Sequence, residues 1–381
     1  MARKKVERNI AFDDQRKRYY VTFEYGIDPE TGKQIRKTKT FQKLAQARSA
    51  LRKHETDREN NQVVMPSDIT LAEWLTEWLH SVGSLNREVT TAYGYQKIIE
   101  KHIIPALGEI PLQNLKPQHL QRYYAALVRE KGLHPNTARK HHDLLSVTLR
   151  QAVRQELLTR SPTELVEPPK HKPPDIHYYS AETLQRLFTL SEGTRCEVLI
   201  KLAGYLGLRR EEILGLTWDY INFQSQTLEV RYVRTSAGSQ IVTKDPKTKS
   251  SRRTLYMPND LVYSLRRELG TQRYYKEQFG SRYHDGGYVL CYLDGRPMRP
   301  NYASDLFVKF VRDNDLPPLT LHGLRHSFAS IANSKGLSIF DIGMALGHSS
   351  TSTTSRIYTH LLDPDHRELM AALWDQPPGG R

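Results

Sequence analysis

GLRREEILGL (residues 207–216) sets two arginines and two glutamates at the head of an apolar helical repeat. Ile213, Leu214 and Leu216 form the buried side of such a helix, and Arg210 and Glu211 the exposed side; Arg209 and Glu212 are left without a packing role. Three cation-rich pieces lie downstream: PKTKSSRRTL (246–255), HGLRH (322–326), and LGHSS (346–350) followed by RIYTHL (356–361). Breaking a phosphodiester needs a nucleophile, positive charge against the non-bridging oxygens and an acid for the leaving oxygen. Arginine suits the second task because its planar fork gives phosphate two parallel hydrogen bonds, which makes Arg209 and Arg325 candidates. His322 precedes Arg325 by three residues, and on a helix both share one face. His322 and His326 also stand at zinc-ligand spacing, but Gly323 occupies the place of a catalytic glutamate and no third ligand is evident, so no metal site is expected.

Working outward, the chain has 381 residues, enough for two or three domains. Its 56 Lys and Arg against 42 Asp and Glu leave a formal charge of +14 and point to an anionic polymer, with nucleic acid ahead of a membrane surface. No apolar run is long enough to span a bilayer, and the basic start lacks the apolar core of a secretory signal, so a soluble chain without membrane partner is expected. Two cysteines, Cys196 and Cys291, make no disulfide framework and fit a reducing cytoplasm.

Residues 1–65 hold 16 Lys and Arg against 9 Asp and Glu, half of the excess charge in a sixth of the chain. RYYVTFEY (18–25), a DPETG turn (28–32) and QIRKTKTF (34–41) predict a hairpin with its basic residues on one face, backed by a helix from KLAQARSALRKHE (43–55). Arg36, Lys37 and Lys39 could reach bases or phosphates in a major groove; the same charges also read as a solvated face. Pro66 marks a linker. SDITLAEWLTEWLHSV (67–82) then predicts a helix capped by Ser67 or Asp68, with Leu71, Trp74, Leu75, Trp78, Leu79 and Val82 as core. Helical patterns at 90–104, 118–130 and 135–157 complete an all-α bundle. The last carries Arg139, Lys140, His141, His142, Arg150 and Arg154, a basic side suited to a phosphate backbone. PPKHKPP (168–174) cannot continue a helix and marks a second boundary. Beyond it, 180–188, 196–207 and 210–216 read as helices and TLEVRYV (227–233) and RRTLYMP (252–258) as strands, before helix returns. A closing stripe of Leu369, Met370, Leu373 and Trp374 could cap its own domain.

The four cationic pieces resemble, in order, the catalytic signature of the tyrosine recombinases, or phage-type integrases. GLRREE is similar to the first arginine motif, with Arg209 at the arginine and Glu212 at the acidic position. PKTKSSR resembles the hairpin bearing the family's lysine, which maps to Lys247, with Lys249 close enough to compete. HGLRH resembles the His-x-x-Arg box, with His322 and Arg325, and LGHSS with the following tyrosine resembles the last motif, with His348 and the nucleophile Tyr358. HIIPALGEIPLQNLKPQHLQRYYAAL (102–127) and NTARKHHDLLSVTLRQAV (136–153) look like the family's helical core-binding domain, and the start is similar to the arm-binding domain of larger integrases of phages and conjugative transposons.

The resemblance implies a small α+β amino-terminal domain (a three-stranded sheet plus helix, 1–65), an all-α helical-bundle core-binding domain (66–170) and a mainly α catalytic domain with a small antiparallel sheet (171–381), the last two closing around duplex DNA. The long interval between Arg209 and Lys247 implies an extended hairpin. It further implies type IB chemistry without a cofactor, in which Tyr358 forms a 3′-phosphotyrosyl link. His322 accepts the proton, Lys247 protonates the departing 5′ oxygen, His348 bonds the phosphate and Glu212 orients donors. Double-stranded DNA at attachment or transposon-end sites, further copies of the chain as a dimer or tetramer, and an excisionase-type helper are the implied partners. A type IB topoisomerase and a non-catalytic DNA-binding regulator are the rivals; the amino-terminal module argues against the first and the filled catalytic positions against the second.

Overall fold

The computed structural model describes residues 3–27, 31–60, 63–83, 85, 87–173, 175–246 and 251–347; Lys247, Lys249, His348, Tyr358 and the closing stripe at 366–375 lie outside the described residues. The chain divides into two units, Met1–Pro173 and Pro174–Arg381. In the first, β1 (Lys4–Glu7), β2 (Ile10–Asp13), β3 (Arg18–Ile27) and β4 (Gln34–Phe41) form an antiparallel sheet in chain order, followed by α1 (Leu44–Glu59). The expected three-stranded sheet is thus corrected to four strands. Asn9 adopts a left-handed φ of 64°, which an asparagine tolerates, and the chain reverses there so that KKVE pairs with β2. A four-residue strand with three charges shows no alternation by which to read it.

Ile10, Val21 and Phe23 of the sheet bury against Ala47 of α1. Register also corrects the single basic face. Lys37 lies opposite Phe23 and Lys39 opposite Val21, whereas Arg36 lies opposite Glu24. Directly paired residues share a face, so the two lysines stand on the side of the apolar residues and Arg36 on the other, paired to Glu24 at 3.2 Å.

Five helices follow: α2 (Leu71–Trp78), α3 (Val89–Ile98), α4 (Ile104–Leu107), α5 (Pro117–Arg129) and α6 (Pro135–Arg154). Leu71, Trp74, Leu75 and Trp78 are buried as their spacing requires. The cap is Thr70, rather than Ser67 or Asp68. Its hydroxyl accepts from Glu73 N at 3.2 Å while the Glu73 carboxylate accepts from Thr70 N at 2.7 Å, the reciprocal pair that a T-x-x-E sequence offers. A π turn, Ile99–Ile103, joins α3 to α4 just ahead of Pro105, whose missing N–H would interrupt an ordinary α-helix.

His141 was grouped with the basic side of the last helix, and the structure corrects this. It falls in the buried series Ala138, His141, Leu144, Leu145, Leu149 and Ala152 of α6, and its Nδ1 meets the Tyr123 hydroxyl at 2.8 Å. Burial, followed by the charges of His102 and Lys131, pushes its pKa down to about 4. His102 lies edge-on to it at 5.0 Å. A histidine whose folded pKa lies below its unfolded value of about 6.5 contributes stability that is complete above 6.5 and lost as pH falls toward 4. Urea unfolding followed by tryptophan fluorescence is expected to show up to about 3 kcal/mol of loss across that window. His141→Phe should flatten the dependence; an unchanged slope in that variant contradicts the assignment.

The second unit is built on α8 (Glu197–Leu206), packed by α7 (Ala181–Ser191) and preceding α9 (Arg210–Gly215). Nearly every residue of α8 is buried, Lys201 included; its ammonium is held by Glu197 at 3.2 Å, Asp260 at 2.8 Å and Ser264 at 3.0 Å. β5 (Ile221–Asn222), β6 (Thr227–Val230), β7 (Val233–Ala237), β8 (Gln240–Lys244) and β9 (Arg253–Tyr256) form a three-stranded sheet in the order β5-β6-β9 and a separate β7-β8 hairpin. TLEVRYV is therefore two strands in two sheets, because the chain bends at Arg231 and Tyr232, where its backbone passes against Gly215. The hairpin accounts for the long interval after Arg209. Helices α10 (Asn259–Phe279), α11 (Pro300–Asp313), α12 (Leu321–Ser334) and α13 (Ile339–Leu346) complete the described residues. None of the described helices is long and apolar enough to cross a membrane.

Candidate active site

Gly207 ends α8 in a left-handed conformation, φ 59°, and turns the chain into α9. A Cβ there would stand 2.6 Å from Leu346 and 2.8 Å from Phe328, so only glycine permits α8, α12 and α13 to meet at this point. The turn sets Arg209 immediately before α9 and Glu212 in its first turn. The Glu212 carboxylate accepts from Arg209 N at 2.9 Å and from its guanidinium at 2.8 Å. His322 and Arg325 lie in the first turns of α12, as the spacing predicted.

The cations converge on the carboxyl end of α13, where unpaired helix carbonyls carry partial negative charge. Arg325 donates NH1 to the Gly207 carbonyl at 2.6 Å and NH2 to the Leu346 carbonyl at 2.7 Å; it is 1% exposed. Arg209 NH1 reaches the same Leu346 carbonyl at 3.4 Å and keeps 32% of its side chain exposed, so Arg209 offers solvent the more open guanidinium of the two. Gly347 closes α13 with φ 66° and directs the chain into position 348.

One participant escaped the sequence analysis. Arg253, at the start of β9, grips Glu212 with both ends of its fork, each at 3.1 Å, and donates Nε to the Ala345 carbonyl at 2.7 Å. Its side chain is 8% exposed. The available signal was its strand position, two residues before Leu255, which packs against the core: Arg253 is a charge on the inward side of the strand. Burial alone would raise the Glu212 pKa, but Arg253 and Arg209 outweigh it and hold the carboxylate below its ordinary range. His322 keeps solvent access; desolvation by surrounding protein, then Arg325 and Arg209, lowers its pKa, leaving the imidazole neutral and able to accept a proton at pH 7. Arg209 and Arg253 thus hold a single buried carboxylate, and Arg325 joins them at the end of α13, an excess of positive charge suited to a phosphate.

Of the other residues singled out from the sequence, Arg139 pairs with Asp143 at 3.4 Å, Arg150 turns back to the Ser146 hydroxyl at 3.0 Å, and Lys140 is exposed. Arg139, Asp143, Ser146 and Arg150 share one stripe of α6, and Lys140 lies about 100° around the helix from Arg139.

A mainly helical unit with small antiparallel sheets, in which arginines from three separated motifs meet at the end of α13 and two of them share one carboxylate, defines a tyrosine recombinase catalytic domain. The chain belongs to the phage integrase family. The family pattern described as "Phage integrase family" matches residues 178–364, and "Phage integrase, N-terminal SAM-like domain" matches residues 70–128. An integrase of Streptomyces ambofaciens is 26% identical over 370 residues, covering 95% of this chain and 94% of that protein. The ICEBs1 integrase of Bacillus subtilis (strain 168) is 26% identical over 369 residues, covering 94% and 97%. Among solved structures, the Tn1549 transposon integrase in complex with a circular intermediate DNA shares the fold with a TM-score of 0.68 at 18% identity, covering 80% of this chain and 99% of that one. A lambda integrase dimer bound to a COC′ core site gives 0.56 at 18% identity, covering 93% and 96%.

Proposed function

We propose that this chain is a site-specific DNA recombinase that integrates and excises a mobile genetic element through a 3′-phosphotyrosyl intermediate. The observation that carries the proposal is the meeting of Arg209, Arg253 and Arg325 at the end of α13, the first two held by Glu212, ahead of a histidine and a tyrosine in the family's order. The Tyr358 phenolic oxygen attacks the scissile phosphorus, the bond from phosphorus to the 5′ oxygen breaks, and Lys247 gives that oxygen its proton. His322 takes the phenolic proton, Arg209 and Arg325 balance charge on the non-bridging oxygens, and His348 bonds one of them. Glu212 orients Arg209. A free 5′ hydroxyl from a partner strand reverses the step and reseals the backbone.

In this proposal residues 1–65 bind arm-type DNA, 66–170 bind the core site and 171–381 cut it. Arg36, Lys37, Lys39, Arg139, Lys140 and Arg150 meet phosphates or bases. Copies of the chain assemble on DNA as a dimer or tetramer, with an excisionase-type helper for excision. The test supplies two separate duplexes carrying the element's ends. Covalent capture followed by joining of the two duplexes is expected; capture with resealing of the same duplex only would instead indicate a topoisomerase.

The lowered pKa of His322 gives its acceptor role a pH signature. Because the His322 pKa is lowered from the ordinary histidine value, the single-turnover cleavage rate is expected to reach half its plateau at a pH below about 6.5. Half-loss of rate at or above pH 6.5 would contradict His322 as acceptor.

A further inference from the structure

We infer that Arg253 is a positioning residue of the strand-transfer site, acting through Glu212 on Arg209 and through the Ala345 carbonyl on the end of α13. The inference rests on the recombinase reading above and adds a residue to it. Three segments far apart in sequence must be brought into register: the turn bearing Arg209, the strand next to the lysine-bearing segment, and the helix leading to position 348. Arg253 bonds to two of them from the third. NH1 and NH2 take separate oxygens of Glu212 at 3.1 Å, and Nε takes the Ala345 carbonyl at 2.7 Å.

The geometry divides the labour among the three arginines. Arg253 faces the inner side of Glu212 with 8% of its side chain exposed, while Arg209 approaches the same carboxylate with 32% exposed. Glu212 is therefore a shared anchor whose inward half is neutralised by Arg253, leaving it to hold Arg209 at the solvent side, where a phosphate would enter. An arginine is needed for this. Lysine places a single ammonium and cannot bond both carboxylate oxygens and a carbonyl lying off at the Nε side. NH1 also donates to the Ser251 carbonyl at 3.2 Å, so the guanidinium fixes the chain just after residues 247–250 as well.

The experiment measures single-turnover covalent cleavage of a nicked duplex bearing the core site, alongside DNA affinity and thermal unfolding, for the wild-type chain, Arg253→Gln and Arg253→Lys. Arg253→Gln is expected to bind DNA normally and to unfold at a lower temperature, since Glu212 and the Ala345 carbonyl lose bonds, while the cleavage rate constant of its folded molecules falls about 10- to 100-fold, with Arg253→Lys restoring part of the loss. A role in folding alone would lower the reactive fraction but leave the rate constant of the folded molecules unchanged. That result, or wild-type rates in both variants, overturns the inference. If Arg253→Gln does not fold, Arg253→Lys decides: a slower rate constant at unchanged affinity supports the inference, and a wild-type rate overturns it. Absence of covalent product from the wild-type chain would reject the recombinase reading itself, a different outcome from any of these.

Discussion

Tyr358→Phe is expected to abolish covalent capture of nicked core-site DNA while leaving affinity for that DNA within about twofold of wild type, since phosphate contacts spread over the protein dominate binding. The change deletes one oxygen. If that oxygen is the nucleophile, capture falls to background, and no change of pH or time restores it. An unperturbed phenol has a pKa of about 10, so its use near neutrality depends on positive surroundings and an acceptor. The convergence of Arg209, Arg253 and Arg325, with a neutral His322 beside Arg209 and Arg325, describes such surroundings. Equal capture by the wild type and Tyr358→Phe would mean that another side chain carries the chemistry.

Arg209→Ala is expected to lower the rate constant for cleavage by about a thousandfold, the upper end of what loss of one preorganised donor costs, again with DNA binding retained. This substitution separates chemistry from folding better than Arg325→Ala. Arg325 is buried and bonds the Gly207 and Leu346 carbonyls, so its removal also strips partners from two buried acceptors. Arg209 is more exposed, and without it Glu212 still has both bonds to Arg253. The variant should therefore unfold near the wild-type temperature. Parallel loss of binding and cleavage in Arg209→Ala would show that the residue serves affinity, not the transition state.

The core was legible because its repeats are strong. Leu71, Trp74, Leu75 and Trp78 declare one face of a helix, and GLRREEILGL separates its packing residues from Arg209 and Glu212 by the same rule. Local exchanges of partner were harder to read. Thr70 outcompeted Ser67 and Asp68 as a cap because Glu73 lies where it can return the bond. His141 looked like one more cation in a basic run, yet its place in the 3–4 spacing of α6 sends it into the core. The fourth strand of the amino-terminal sheet is invisible to periodicity, since KKVE shows no apolar alternation and its pairing depends on the turn at Asn9. Arg253 was passed over because it sits beside Arg252 in a run of polar residues. Alternation with Leu255 along β9 sets Arg253 inward, whereas Arg252 reaches Asp245.

The site's logic runs through pairs that sequence cannot display: Glu212 with Arg253 spans 41 residues, and Arg325 with the Gly207 carbonyl spans 118. Such contacts join motifs that lie far apart in the chain. Each brings a donor to the end of α13.

The central claim is that the chain becomes esterified to DNA through one phenolic oxygen. Digesting the complex trapped on a nicked core-site duplex and sequencing the nucleotide-bearing peptide by mass spectrometry tests it directly. A 3′-linked nucleotide on Tyr358 is the predicted result; a nucleotide on any other residue, or a 5′ linkage, would contradict the account.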